Sequence, residues 1–306
     1  MDPGNQTSLK EIILDGFSHN MHICIFFFNT LLIIYLFTIL GNSFLICAVS
    51  ISSKLHTPMY FFLCNLSVLD LCYSSIITPQ ILLLLLFKEK TISMLNCMVQ
   101  MNISLFLGST EGLLLAVMAY DRYIAICFPL YYTNIMNGKI CRNVVLVMCL
   151  GGFLLTVVPN ISKPLVFCAK RKLDHFVCEI LALLKISCGN LASYKLRLSV
   201  ASLFLLLVPL VFIVVSYCLI ISIILKIQST DGRSKAFSTC ASHLSVVFMF
   251  YGTTLTMYMG QSKRLSSLLK YIFLVYGIIT PLLNPLIYSL KNSEVKQAFL
   301  KIFQSC

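Results

Sequence analysis

Seven stretches of this chain carry enough apolar residues to cross a membrane: 23–49, 58–86, 94–125, 141–162, 197–225, 237–259 and 269–290. A bilayer core of about 30 Å needs about 20 residues at 1.5 Å each. Their continuous apolarity lacks the two-residue alternation of a barrel strand, so the runs are read as helices, which satisfy their own backbone groups in lipid. The pattern predicts an all-α membrane protein, a seven-transmembrane helix bundle forming one domain over 1–306. The linkers are short except 163–196, which holds KRKLDH and three of the cysteines. A polar leader covers 1–22. At the other end, 291–303 sets Val295, Phe299, Ile302 and Phe303 to one side, with Lys291, Lys296 and Lys301 available to the interface. That spacing predicts a short C-terminal amphipathic helix on the membrane surface.

Composition agrees with the pattern. The chain is 58% hydrophobic and 11% charged, with mean hydropathy +0.91, whereas a soluble domain carries about 25% charged residues. A net charge of +12 would suggest nucleic acid in a soluble protein. Here the Lys and Arg fall mostly between apolar runs, and no zinc-finger, basic-helix or phosphate-loop pattern accompanies them. The partner they fit is the lipid bilayer, and no nucleic acid is expected. The leader contains Glu11 and Asp15 and lacks a basic start followed by an apolar core, so no cleaved signal peptide is read.

Orientation is not given by counting. With the N-terminus outside, more of the 23 Lys and Arg lie on the outer side than the inner, against the positive-inside rule. Two features favour that orientation nonetheless. Asn5-Gln6-Thr7 is a glycosylation sequon in the leader, and Cys97, Cys168, Cys178 and Cys188 share the side that would be oxidising. Those four allow three pairings, which spacing leaves open. The sequons at Asn65 and Asn102 fall within spans, and that at Asn160 falls at a span end. Most of the 14 cysteines read as small packing residues, and no metal set of His and Cys stands out.

Two acids lie deep in apolar runs: Asp70 in NLSVLDL and Glu111 in STEGLLLAVMAY. An intramembrane carboxylate is costly and marks an interior site with a partner. Asp70 is roughly 18 Å along its helix from Pro58, and Glu111 roughly 16 Å from Arg122, on the same face of the membrane. Asn42 falls at a similar level, and Asn284 precedes Pro285, which removes a backbone donor and bends the helix. Asn42, Asp70, Glu111 and Asn284 are therefore expected to form one buried polar cluster. Two ionised carboxylates so close require a joining cation or a proton on one of them. On the third span Ser104, Gly108, Glu111, Leu115, Met118 and Arg122 recur every three or four residues and share a face. Arg122 ends that face beside Asp121, as either an interface anchor or a switch.

At MAYDRYIAIC, 118–127, the chain resembles the odorant receptor family, within the rhodopsin-like seven-helix receptors that couple to G proteins. Further marks are Gly41-Asn42, LHTPMYFFLCNLSVLD at 55–70, Pro129-Leu130, Ser216-Tyr217, KAFSTCASHL at 235–244 and PLLNPLIYSLKN at 281–292. The resemblance covers essentially the whole chain. Its departures are Cys149 where a Trp usually precedes Gly151-Gly152, no Trp anywhere, and Phe128 before Pro129.

The resemblance implies roles. Asp121-Arg122-Tyr123 would be a cytoplasmic lock, and Tyr217, Asn284, Pro285 and Tyr288 would rearrange on activation. Asp70 would centre a sodium-and-water pocket, with Glu111 as the family's extra acid, so a sodium ion or a shared proton is expected there and no other cofactor. Cys97 would pair with Cys178 and Cys168 with Cys188, pinning the long second outer loop. Arg233 to Ser242 would begin the sixth helix beside the G-protein cleft.

By family position the ligand would meet Met101, Ser104, Leu105, Gly108 and Ser109 on the third span and Ser202 and Leu205 on the fifth. On the sixth and seventh it would meet Tyr251, Thr254, Leu255, Tyr258, Phe273 and Gly277. Such a lining suits a small, volatile or weakly polar molecule with one or two hydrogen-bonding groups. No acidic counter-ion stands out at this level, which argues against a cationic amine held by an obligatory carboxylate. Lys270 would either favour acids or reach for headgroups. The implied function is an odorant-type receptor acting on a heterotrimeric G protein of the stimulatory olfactory type, in the plasma membrane with the C-terminus cytoplasmic. A receptor of the same family sensing a metabolite elsewhere is the nearest alternative. A secondary transporter would need paired repeats with broken helices, which are not found. The chain has no H-E-x-x-H or Gly-x-Ser-x-Gly and no apparent nucleophile–base set, so no enzyme is expected.

Overall fold

The computed structural model describes residues 10–15, 20–87, 90–167, 172–188, 191–259, 266–290 and 295. Seven long helices account for most of them. Helix α1 (Met21–Ile51) starts where Asn20 accepts the backbone N–H groups of His22 and Ile23 at 3.1 and 3.5 Å. Helix α2 (Pro58–Leu86) opens on Pro58, whose missing N–H costs nothing in a first turn. Ser93 caps α3 (Met94–Cys127) by accepting from Asn96 N–H at 3.2 Å. Asn137 does the same for α4 (Gly138–Ser162) with Ile140 N–H at 3.0 Å. Helix α5 runs Leu191–Ile224, α6 Thr230–Met259 and α7 residues 266–290. Several start earlier than hydropathy indicates, because hydropathy marks the lipid-depth core while backbone bonding continues into polar turns.

Six of these helices are long and apolar enough to cross a membrane. The exception is α6, where hydroxyls and His243 dilute the apolar run. At 30 residues it still reaches about 45 Å; Ser242 and His243 are buried, while the exposed Ser245 and Thr256 donate back to their own helix. Large apolar side chains such as Phe37, Val147 and Phe248 point outward, the last 78% exposed. In lipid that belt is already solvated, so it is no defect.

Proline sets the local irregularities. Pro79, Pro159 and Pro285 lie inside α2, α4 and α7. Wide π turns at Leu203–Leu207 in α5 and Val275–Ile279 in α7 stand just before Pro209 and Pro281. A proline ring crowds the carbonyl four residues back, and an extra residue in the turn relieves that clash.

Helix α3 runs through the middle, packed against α2, α4, α5 and α6, while α1 packs on α2 and α7. One end is closed by loops. Strand β1 (Glu11–Leu14) pairs antiparallel with β2 (Lys90–Ser93). Its other edge pairs parallel with β4 (Lys172–Leu173). β3 (Val166–Phe167) pairs with β5 (Ser187–Cys188). Ile12 and Leu14 are fully buried beneath this sheet, and Lys172 bridges Asp15 at 2.8 Å. A short loop helix, Ile180–Ile186, lies across the bundle mouth. We refer to this as the loop end and to its opposite as the Arg122 end.

Cys97 and Cys178 form a disulfide with Cα atoms 5.3 Å apart, which ties the long loop to the start of α3. Cys188 is also disulfide-bonded, while Cys168, its expected partner, lies outside the described residues. So do Asn5 and the helix expected at 291–303, apart from Val295, which is buried. Of the sequons in spans, Asn102 accepts from Asn160 at 3.0 Å, and Asn160 in turn accepts from Tyr194 at 2.6 Å. Both amides act as helix-to-helix ties.

Candidate functional site

Below the loop end, α3, α5, α6 and α7 enclose a cavity of about 110 Å³. Ten residues expected at a ligand line it: Met101, Ser104, Leu105, Gly108 and Ser109 from α3, Ser202 and Leu205 from α5, Thr254 and Tyr258 from α6, and Phe273 from α7. Three others fall outside. Tyr251 is buried and donates its hydroxyl to the Gly112 carbonyl at 2.9 Å, where the absent Cβ of Gly112 leaves room for the adjacent Phe250 ring. Leu255 packs against the core, and Gly277 meets Tyr73, Ile77 and Phe273 between α2 and α7. The α5 π turn carries Leu205, and the α7 π turn carries Tyr276, into the lining. Wide turns commonly aim side chains at functional sites in this way.

The lining also contains residues that were not expected at the ligand: Tyr73, Phe250, Tyr276 and the loop segment Cys178, Glu179 and Ile180. Glu179 corrects the expectation that no acid stands at this level. Its carboxylate accepts the Ala182 N–H at 3.0 Å and caps the loop helix, and burial raises its pKa to about 6. A loop residue next to a disulfide cysteine has no helical periodicity, so only the adjacency Cys178-Glu179 could have flagged it.

Gly108 brings the cavity floor close to the acids beneath. A Cβ there would stand 2.7 Å from the Tyr276 hydroxyl. Tyr276 stands close enough to Tyr73 and Glu111 to act on both electrostatically, and the two tyrosine rings meet edge to face at 5.2 Å. Asn284 stands beside Glu111, and its amide donates to both Asp70 oxygens at 3.1 and 3.0 Å. Three of the four expected cluster members are thus joined around Asn284. The fourth, Asn42, acts elsewhere: its amide donates to the carbonyls of Thr38 and Pro281, both at 3.0 Å. The Pro281 carbonyl is the one that Pro285 cannot bond, so Asn42 satisfies the proline's orphan and staples α1 to α7. Gly41 lets the Pro285 ring approach to 3.4 Å of where a Cβ would stand.

Several buried oxygens here have no partner among the described residues, including Glu111 Oε1, Asn284 Oδ1 and Asn42 Oδ1. Hard oxygen donors beside two carboxylates suit a small hard cation. Among the described residues, no group of three or more His, Cys, Asp or Glu is positioned to hold a metal.

Toward the Arg122 end the side-chain ties become singular. The Tyr217 hydroxyl lies 2.8 Å from His243 Nδ1, and His243 Nε2 lies 3.1 Å from the Leu115 carbonyl. A carbonyl only accepts, so Nε2 carries the proton and Nδ1 accepts from Tyr217. One chain thereby links α5, α6 and α3. His243 sits inside KAFSTCASHL but on an apolar face, and no periodicity singled it out. Asp121 accepts from the Tyr132 hydroxyl at 2.8 Å, and Arg122 reaches the Met59 sulfur. Asp121 and Arg122 thus each contact a neighbouring segment. Tyr123 packs edge to face on Phe128, and Tyr288 is buried with its hydroxyl unpaired among the described residues.

Comparison with known proteins gives one consistent result. The family model described as olfactory receptor matches residues 31–305. Olfactory receptor 13D1 of Homo sapiens is 45% identical over 307 residues, covering 99% of this chain and 88% of that protein. Olfactory receptor 13F1 of Homo sapiens is 46% identical over 304 residues, covering 99% and 95%. Olfactory receptor-like protein OLF3 of Canis lupus familiaris is 44% identical over 305 residues, covering 99% and 96%. These relatives are receptors rather than enzymes. On sequence along nearly its whole length, and on a helical bundle of membrane-crossing elements, the chain belongs to the olfactory receptor family and is a multi-pass protein of the plasma membrane.

Proposed function

We propose that the chain is an odorant receptor that binds a small, mostly apolar molecule in the cavity below the loop end and activates a heterotrimeric G protein of the stimulatory olfactory type. The observation that carries this reading is the continuity from cavity to acids. Tyr276 lines the cavity and stands beside Glu111, which lies next to Asn284, the donor to both Asp70 oxygens. The loop end, with its strands and loop helix, is then outside, and the Arg122 end is inside. The disulfide supports that orientation, since it stands on the side that must be oxidising.

Ligand binding acts by population shift. In the resting bundle two side-chain bonds to backbone tie α6 to α3: Tyr251 to Gly112 and His243 to Leu115. Outward movement of α6 breaks both and opens a cleft beside Arg122 for a G-protein segment. A ligand that fits the moved α6 better raises the open population by the ratio of its two affinities. Asp70 and Glu111 share one compensating positive charge, a sodium ion or a proton, whose loss or transfer accompanies closure of the space around it. When bound, sodium would offset one of the two negative charges, with Asp70, Glu111 and Asn284 as its holders.

The test is a panel of small odorants applied to cells expressing the receptor, read as cyclic AMP. At least one compound should activate, and Arg122→Ala should abolish the response while leaving binding of that compound within about threefold, or under about 0.7 kcal/mol. Equal loss of binding and signalling would contradict a role confined to the inner end.

A further inference from the structure

A second cavity, of about 540 Å³, lies at the loop end between the loop helix, α5 and α7. Its walls differ from the first. Lys185, Lys195 and Lys270 line it together with Asp174 and Glu179, and Glu179 is engaged as the cap of the loop helix. His175 also lines it, but burial lowers that imidazole's pKa to about 4, so it adds no charge at neutral pH.

Lys270 is the centre of the argument. Its ammonium pairs with Asp174 at 2.8 Å, yet the two partners differ sharply in exposure: the lysine side chain is 14% exposed and the aspartate 75%. The ammonium also lies 5.7 and 5.6 Å from the ring centroids of Phe176 and Tyr271. Lys270 therefore does not reach out to headgroups. It is held against rings where water is scarce, and so requires an anion. Asp174 can swing into solvent at little cost, since ion pairs with an exposed partner contribute little. The pair is built for exchange: the cation is fixed and its anion is replaceable.

The apolar side of the same cavity gives the rest of the ligand. Glu179, Leu198 and Met257 line both cavities, so the two spaces meet there. We propose that the outer cavity is a binding site for small amphiphilic carboxylates, whose head replaces Asp174 at Lys270 and whose alkyl tail lies along Leu198 and Met257 toward the inner cavity. Lys185 on the loop helix and Lys195 on α5 supply long-range attraction for the head. The volume falls within the ordinary range of about 300–1,000 Å³ for small-molecule sites. This goes beyond the inner-cavity reading and rests only on the cavity standing at the solvent-accessible end. The two sites would be occupied in sequence, with the outer one selecting by charge and the inner one by shape.

The experiment uses full-length receptor in nanodiscs of phosphatidylcholine, which carry no net charge, with sodium hexanoate and hexan-1-ol as matched probes. Saturation-transfer NMR reads binding directly, without any signalling step. Hexanoate should bind saturably below about 10 mM, more tightly than hexanol, and more weakly when sodium chloride rises from about 0.05 to about 0.5 M. Lys270→Gln should weaken hexanoate by about tenfold and leave hexanol unchanged, while Lys270→Arg keeps binding within about threefold. Because Lys270 is partly buried, Lys195→Gln at an exposed position gives an independent arm, with a smaller loss of about two- to threefold. Three results overturn the proposal: no saturable hexanoate binding to the wild type, binding unchanged in both glutamine variants, or equal affinity for the alcohol. None of them touches the inner cavity or the G-protein reading, which odorant-driven cyclic AMP tests separately.

Discussion

The loop-end half and the Arg122-end half of this bundle are built by different means. Around the inner cavity the hydroxyls mostly return to their own helices: Ser109 donates to Phe106, Thr156 to Gly152 and Thr254 to Phe250, at 2.9, 2.7 and 2.7 Å. What remains facing the cavity is apolar surface and hydroxyl lone pairs. Below it, side chains reach across to other helices, as with Asn42 to Pro281, Asn284 to Asp70, and Tyr217 through His243 to Leu115. A wall closed on itself can change residues without releasing its neighbours. A single bond between helices cannot be altered so freely, because losing it strands a polar group in a weakly polar interior. The comparison assigns recognition to the first half and switching to the second.

Asn284→Ala probes the second half hardest. Removing the amide leaves both Asp70 oxygens without their donor, beside Glu111, which costs about 1–3 kcal/mol or more for a buried carboxylate. The melting temperature of solubilised receptor should fall steeply, and surface expression with it. A near-neutral result would mean that the two acids do not depend on Asn284.

His243→Phe keeps the ring volume and removes the link from α5 through α6 to α3. Two bonds of about 1 kcal/mol each are lost, so ligand-free cyclic AMP at matched surface expression should rise several-fold. A basal level that stays flat or falls would show that this chain does not restrain α6.

The smallest change belongs to the first half. Thr254→Val deletes a hydroxyl that bonds its own helix, and stability should move by less than about 1 kcal/mol. The ranking of odorants should shift instead, away from those with a donor that the threonine oxygen could accept. Dose–response curves for an alcohol and its methyl ether would show it: the alcohol's advantage shrinks in the variant.

How much of this was legible beforehand follows the same division. Long apolar runs marked the seven helices because burial in lipid acts on every residue of a span. The deep acids stood out because a carboxylate is so costly there, and Asn284 because it precedes a helix proline. Asn42 was expected in the acid cluster, but its partner was not visible, since a carbonyl orphaned by Pro285 belongs to backbone geometry and leaves no mark of its own. Tyr73 and Tyr276 were missed because an aromatic residue in a membrane helix is ordinary, and only the π turn aims Tyr276 at the cavity. Glu179 was missed because the loop fold, fixed by Cys97–Cys178, decides where it points. Sequence patterns therefore carry what periodicity and solvation dictate, and miss what a single turn or crosslink aims.

The most direct test fills the inner cavity while leaving every interhelical tie intact. Ser104→Phe adds a ring to a space of about 110 Å³ without touching Glu111, Asn284 or His243. With an odorant that activates the wild type, the account predicts normal surface expression and basal cyclic AMP, and a dose–response curve shifted by at least about tenfold, or about 1.4 kcal/mol. An unshifted curve would place the ligand elsewhere and contradict the account.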